Sequence, residues 1–264
     1  MSLRILYAVL MLATLSGAAS FDPPRSKKTL DLGPSRSESH THARITCYFF
    51  SKFMVKETDL GEKGAARLAI VPITHGVVTE CARAHGRTEK VINPDEWSGY
   101  FKGVKNDFVF FDADDGWNGG MGFAVYDSRT GKKIFEDAAI GPLAFPPTQG
   151  NEVSLTYTRV MDGQCIVPKD EIGCWARIQK NIGLESAPMP DCKKGYEQSA
   201  QNLAKGRCQA QSTNDPQCLD REIELARDQT KEANSIISYP VQVMLGPQPA
   251  IKPMNGEVRC RPSD

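Results

Sequence analysis

This sequence has no excess of either charge. Lys+Arg and Asp+Glu both number 32 in 264 residues, so no strong field gathers nucleic acid or an anionic membrane, and no nucleic-acid partner is expected. Histidine is scarce, four in all. His40 and His42 lie near the start, while His75 and His85 each precede a glycine. A serine triad therefore has few bases to draw on, and no nucleophile elbow, phosphate-binding loop or paired-histidine helix accompanies them. No two cysteines have the two-residue spacing of a zinc ribbon. Cys81 and His85, four apart, could share a helical face, yet no second such pair completes a site. No Asn-X-Ser/Thr acceptor for N-glycosylation occurs, which favours a bacterial envelope protein over a eukaryotic secreted one. A hydrophobic share of 40% with 22 glycines excludes collagen-like, coiled-coil and wholly disordered chains.

What is there begins with an export signal. Arg4 is the only charge in residues 1–20. It precedes an apolar run, Ile5 to Leu15, and the small residues Ser16, Gly17, Ala18, Ala19 and Ser20. This order reads as a signal peptide over 1–20, cleaved between Ala18 and Phe21. The run, about 11 residues long, falls well short of the roughly 20 that cross a bilayer, so no membrane span is expected after processing. The expected compartment is extracytoplasmic, periplasmic or secreted.

All eight cysteines, Cys47, Cys81, Cys165, Cys174, Cys192, Cys208, Cys218 and Cys260, lie beyond the cleavage point. In an oxidising compartment an even count implies up to four disulfides, with 105 possible connectivities. Two pairs suit local bridges, Cys165 with Cys174 and Cys208 with Cys218. The second would contribute roughly 3 kcal/mol on the chain-entropy model. Cys47, Cys81, Cys192 and Cys260 are then left to pair over longer range in an arrangement spacing does not decide. An even count leaves no spare thiol for a cysteine protease.

Residues 21–42 carry prolines, serines and scattered charges without periodicity, and read as a flexible leader. From 43 to 264 the chain reads as one β-rich α+β domain, mostly antiparallel, disulfide-stabilised, with one short helix and an inserted helical hairpin at about 195–237. Strands are expected over Ile45–Val55, Leu68–Ile73, Phe108–Phe111, Met121–Tyr126, Lys132–Phe135, Val153–Val160, Val241–Leu245 and Glu257–Arg261. The turn at Asp127–Gly131 makes a hairpin with its flanking strands. Asn93, Pro94, Asp95 and Glu96 have the chemistry of a helix start and place the short helix over Trp97, Tyr100 and Phe101, ending near Gly103. Tyr196, Ala200 and Leu203 trace one helix of the hairpin. Asp215 and Pro216 cap the other, whose stripe runs Leu219, Ile223, Ala226, Thr230, Ala233 and Ile237.

One constellation stands out: Asp112, Asp114, Asp115 and Asn118 within a glycine-rich stretch closing at Gly120. Oxygen donors are what a hard cation such as Ca²⁺ requires, and a cation would relieve the repulsion of three carboxylates. The spacing is not that of an EF-hand, and a solvated turn would use the same residues. The leading expectation is a non-catalytic envelope or secreted protein that binds an unknown ligand or partner through this loop. A hydrolase is the alternative, with Asp112 or Asp115 paired with Glu136 or Asp137 and Trp117 as a sugar platform. A third reading is a structural or inhibitory protein that meets its partner through the helical hairpin.

Overall fold

The computed structural model describes residues 20–35, 41–73, 80–150, 152–184, 187–211 and 217–264. The expected signal segment before Ser20, together with His40, His75 and the cap residues Asp215 and Pro216, lies outside these residues.

The first half of the chain forms a five-stranded antiparallel sheet in chain order: β1 (Ser26–Pro34), β2 (His42–Phe49), β3 (Phe53–Asp59), β4 (Arg67–Pro72) and β5 (Lys90–Val91). Its first strand corrects the flexible leader expected over 21–42. Leu30 and Leu32 alternate with polar residues and pack on the core around Cys47, Met54 and Cys81, the period-2 pattern of a half-buried strand. A bulge at Asp31/Gly33 interrupts the pairing. There Gly33 sits at φ +96° and donates its N–H to Asp31 Oδ1 at 2.7 Å. The single strand expected over Ile45–Val55 is two. A tight turn at Ser51 and Lys52 is closed by Phe50 N donating to Phe53 O at 2.9 Å, with no glycine to announce it.

The second sheet has eight strands. β6 (Gly99–Lys105), β7 (Phe108–Trp117), β8 (Gly120–Asp127), β9 (Lys133–Ala144), β10 (Val153–Asp162) and β11 (Ser235–Leu245) form an antiparallel meander. β12 (Ala250–Pro253) and β13 (Arg259–Pro262) pair with different halves of β11. β6 replaces the short helix expected after Asn93. The cap chemistry is used, but only for one turn: Asp95 N donates to Asn93 Oδ1, and Glu96 N and Trp97 N donate to Asn93 O. Sheet sterics then win. A Cβ on Gly99 would stand 1.7 Å from Asp112 O, and one on Gly103 would stand 2.4 Å from the Phe21 ring. Both glycines permit close approaches a helix would forfeit.

Helices enter between β10 and β11. α1 (Glu171–Ile182) is a helix the sequence does not announce, and it carries Cys174 of the local bridge to Cys165. Asp170 caps it by accepting from Gly173 N, Gly183 ends it in the left-handed region, and Cys174, Trp175, Ile178 and Ile182 are its buried face. α2 (Cys192–Ala210) and α3 (Cys218–Thr230) form the hairpin. Cys208 bonds Cys218 at one end, and Arg227 reaches Glu197 at 2.8 Å toward the other, so the two run antiparallel. α3 stops seven residues before Ile237. The chain turns with Ala233 N donating to Thr230 O, and Ile236 and Ile237 enter β11 as fully buried core.

Alternation along β7 joins the layers. Val109 and Phe111 face the small sheet, meeting Phe53, Val55, Leu68 and Ile70. Phe110 faces the other way, into a core with Phe145, Tyr239, Trp175 and Ile178. Four disulfides, Cys47–Cys81, Cys165–Cys174, Cys192–Cys260 and Cys208–Cys218, use every cysteine. Such a set belongs to an oxidising, extracytoplasmic environment. No helix among the described residues is long and apolar enough to cross a membrane.

Candidate functional site

The acidic segment is not a loop. It is the outer half of β7, running into a two-residue turn at Asn118 and Gly119, with φ +46° and +63°. A bulge between Asp112 and Gly116 breaks the register with β8 and sends the carboxylates to separate partners. Asp112 pairs with Lys102. Asp114 accepts from Ser98 Oγ at 3.3 Å. Asp115 pairs with Lys63, and that hydrogen bond, with a second from Gly116 N, holds its carboxyl below the ordinary aspartate range. Asn118 Oδ1 accepts from Asp264 N at 2.9 Å. Among the described residues no group of three or more His, Cys, Asp or Glu side chains is placed to hold a metal ion. The four residues of the expected Ca²⁺ site, Asp112, Asp114, Asp115 and Asn118, thus go to separate partners, and lysines supply positive charge at Asp112 and Asp115.

The carboxylates of the hydrolase alternative are engaged as well. Asp137 is buried and accepts from Tyr157 OH at 2.5 Å and from Arg159 Nε at 2.8 Å. Arg159 also donates to Tyr239 OH at 3.1 Å. The carboxylate and desolvation together push Tyr157 far above the ordinary tyrosine range, desolvation being the larger cause. Glu136 pairs with Lys133 at 2.6 Å. Of the two described histidines, His42 sits 3.1 Å from Asp31 and His85 sits 3.4 Å from Glu89, whose carboxylate also holds Lys56. Trp117 is exposed while Trp97 packs between the sheets. On the helical hairpin, Ala226 is fully buried and Ile223 half-buried, leaving Leu203, Leu219 and Leu225 outward.

A different place gathers unengaged polar groups. At one end of the sheet pair, a cleft of about 500 Å³ is lined by residues from four chain segments. These are Asp22 to Arg25, the β2–β3 turn at Phe50–Phe53, the β6–β7 turn with Asn106 and Asp107, and Arg129 from the turn after β8. Loop ends of stacked sheets are where rigid scaffolds commonly carry sites. Its inner wall is the stacked pair Phe50 and Phe53, with ring centroids 5.3 Å apart.

One side of the cleft is a strap that crosses from sheet to sheet. Asp22 N donates to Val104 O at 2.8 Å on the large sheet, and Arg25 N donates to Phe49 O at 2.7 Å on the small one. Between them lie Pro23 and Pro24, whose rings fix φ and stiffen the span. Phe21 anchors the strap from below, edge-on to Phe110 and Phe145 at 5.2 and 4.9 Å. Asp22 also accepts from Asn106 N at 2.7 Å and Lys105 Nζ at 3.0 Å. Across the cleft Lys52 Nζ donates to Asp107 Oδ1 at 2.8 Å, and Arg129 donates to Asp127 at 2.9 Å.

Sequence reasoning missed this site because no two of its segments are adjacent in the chain. The one local clue was the alternation of Leu30 and Leu32, which should have marked the leader as ordered. No family model, no curated protein and no solved structure matches the chain.

Proposed function

We propose that this is a non-catalytic binding protein of the periplasm or the extracellular space, and that it holds a small ligand in the cleft at the end of the sheet pair. One observation carries the reading. Around that cleft the Arg25 guanidinium, the Ser51 hydroxyl and the Asn106 amide are exposed and have no hydrogen-bond partner among the described residues, so all three are open to a ligand, beside the Phe50–Phe53 wall. Elsewhere the groups a hydrolase would recruit are held in ion pairs and buried hydrogen bonds. Four disulfides support an exported chain, and a rigid frame suits a preorganised site.

The test is a thermal-shift screen of small metabolites on the disulfide-intact protein beside Ser51→Trp, which fills the cleft from an exposed turn position. A ligand at a hundred times its dissociation constant adds about 2.7 kcal/mol, a rise of several degrees. Stabilising compounds that lose their effect in Ser51→Trp support the reading. No stabilising compound, or compounds indifferent to the substitution, would refute it.

A further inference from the structure

We infer that the ligand of this cleft carries an oxyanion, a carboxylate, sulfonate or phosphate monoester, on a small polar body, and that Arg25 is its anchor. The inference rests on the proposed binding role and adds the chemical class. The lining contains three cations, Arg25, Lys52 and Arg129, against two carboxylates, Asp22 and Asp107. Counting the outside partners Lys105 and Asp127 adds one charge of each sign, so the surplus stays at one positive charge. Arg25 is the cation left over.

Most carboxylate oxygens of the lining are already engaged. Both oxygens of Asp22 are occupied, Oδ1 by Lys105 and Oδ2 by Asn106 N, and one oxygen of Asp107 is taken by Lys52. A guanidinium brings five N–H donors in a fixed fork, and Arg25 uses none of them on the described residues. Lys52 has further ammonium hydrogens, and Ser51 and Asn106 add a hydroxyl and an amide. A neutral ligand would leave the fork to water and a cation would be repelled, whereas two oxygens of an oxyanion accept two parallel bonds from it. The diproline strap fixes the backbone from which the Arg25 side chain springs. Its backbone is fixed at Val104 O and at Phe49 O, so little chain entropy is lost when the anion arrives.

The experiment uses the disulfide-intact protein and a panel of small carboxylates, sulfonates and phosphate monoesters, each matched with its neutral ester or amide, read by thermal shift and titration. Stabilisation confined to the anionic members is expected. Arg25→Gln should weaken the best of them about tenfold to a hundredfold, as loss of a charge-assisted hydrogen bond implies, and Arg25→Lys should weaken it less. Because the Arg25 side chain bonds to nothing described, the unliganded variant should melt with the wild type. Neutral members that stabilise equally, and lose their effect in Ser51→Trp, would overturn the oxyanion while leaving the cleft as a binding site. Anions that bind alike to Arg25→Gln and Ser51→Trp would place them elsewhere and overturn it too. If no member of either set stabilises the protein, the binding role falls together with the inference.

Discussion

Replacing Cys192 and Cys260 together by alanine should cost much more stability than replacing Cys208 and Cys218. The first pair closes a sequence separation of 68, the second a separation of 10. On the chain-entropy model these correspond to about 4.4 and about 2.7 kcal/mol at 25 °C, a difference of about 1.7. The shorter loop is nested inside the longer one, but shortening the outer loop by ten residues changes its closure by only about 0.1 kcal/mol, so the two losses should add. Removing both should cost about 7 kcal/mol, much of the stability of an ordinary domain. The structure pushes the difference the same way. Cys260 ties β13 to the start of α2 so closely that a Cβ on Gly195 would stand 1.8 Å from Cys260 O; Cys208–Cys218 ties only two helix ends. Equilibrium urea unfolding of the two double variants, followed by tryptophan fluorescence, is the assay. A Cys208/Cys218 variant as unstable as the Cys192/Cys260 variant would refute the reasoning.

Three further outcomes follow from the structure. Phe21→Ala should cost about 2–3 kcal/mol, below the range for a fully buried ring, and Gly103→Ala should cost a similar amount without adding to it, since both eject the same ring; a wild-type melting temperature for Phe21→Ala would show the strap undocked. Glu57 is buried between the sheets, where its Oε2 accepts from Phe101 N at 2.7 Å, and desolvation raises its pKa above the ordinary glutamate range. Its stabilising share is therefore full below that range and lost as pH rises toward neutrality. Glu57→Gln should gain on the wild type as pH rises above the ordinary glutamate pKa of about 4.3, and Glu57→Leu should lose about 1 kcal/mol by orphaning the Phe101 N–H; a flat difference across pH would refute this. Millimolar Ca²⁺ or chelator should leave the melting curve unchanged, because lysines already pair with Asp112 and Asp115; a rise of several degrees with Ca²⁺ would instead support the cation site expected from the sequence.

Much of the strand pattern was legible because alternation and turn chemistry agreed, as in the hairpin around Asp127, where Arg129 N and Thr130 N donate to its carboxylate. The helical hairpin was legible too, from periodicity and from the spacing of Cys208 and Cys218. Two failures share one cause. Asn93–Glu96 was read as a helix start, and Asp112–Gly120 as a loop, on local chemistry alone. In both places glycines serve cross-strand packing, which appears only once the partner strand is in place. The dipeptide Asn118–Gly119 did carry the strongest short hairpin signal, but it was submerged among the aspartates around it. The cleft was beyond local reading, since its charges come from the ends of unrelated strands.

The nesting of one bond inside another in sequence has a bearing on production. Cysteines oxidised strictly in order of emergence would join 47 to 81 and 165 to 174 correctly, then 192 to 208 and 218 to 260, both wrong against the native set. Thiolate attack on a mixed disulfide is the route from that trapped state to the native one. A host that supplies an isomerase as well as an oxidant should therefore yield more of the native pairing in the C-terminal half than one that offers oxidation alone.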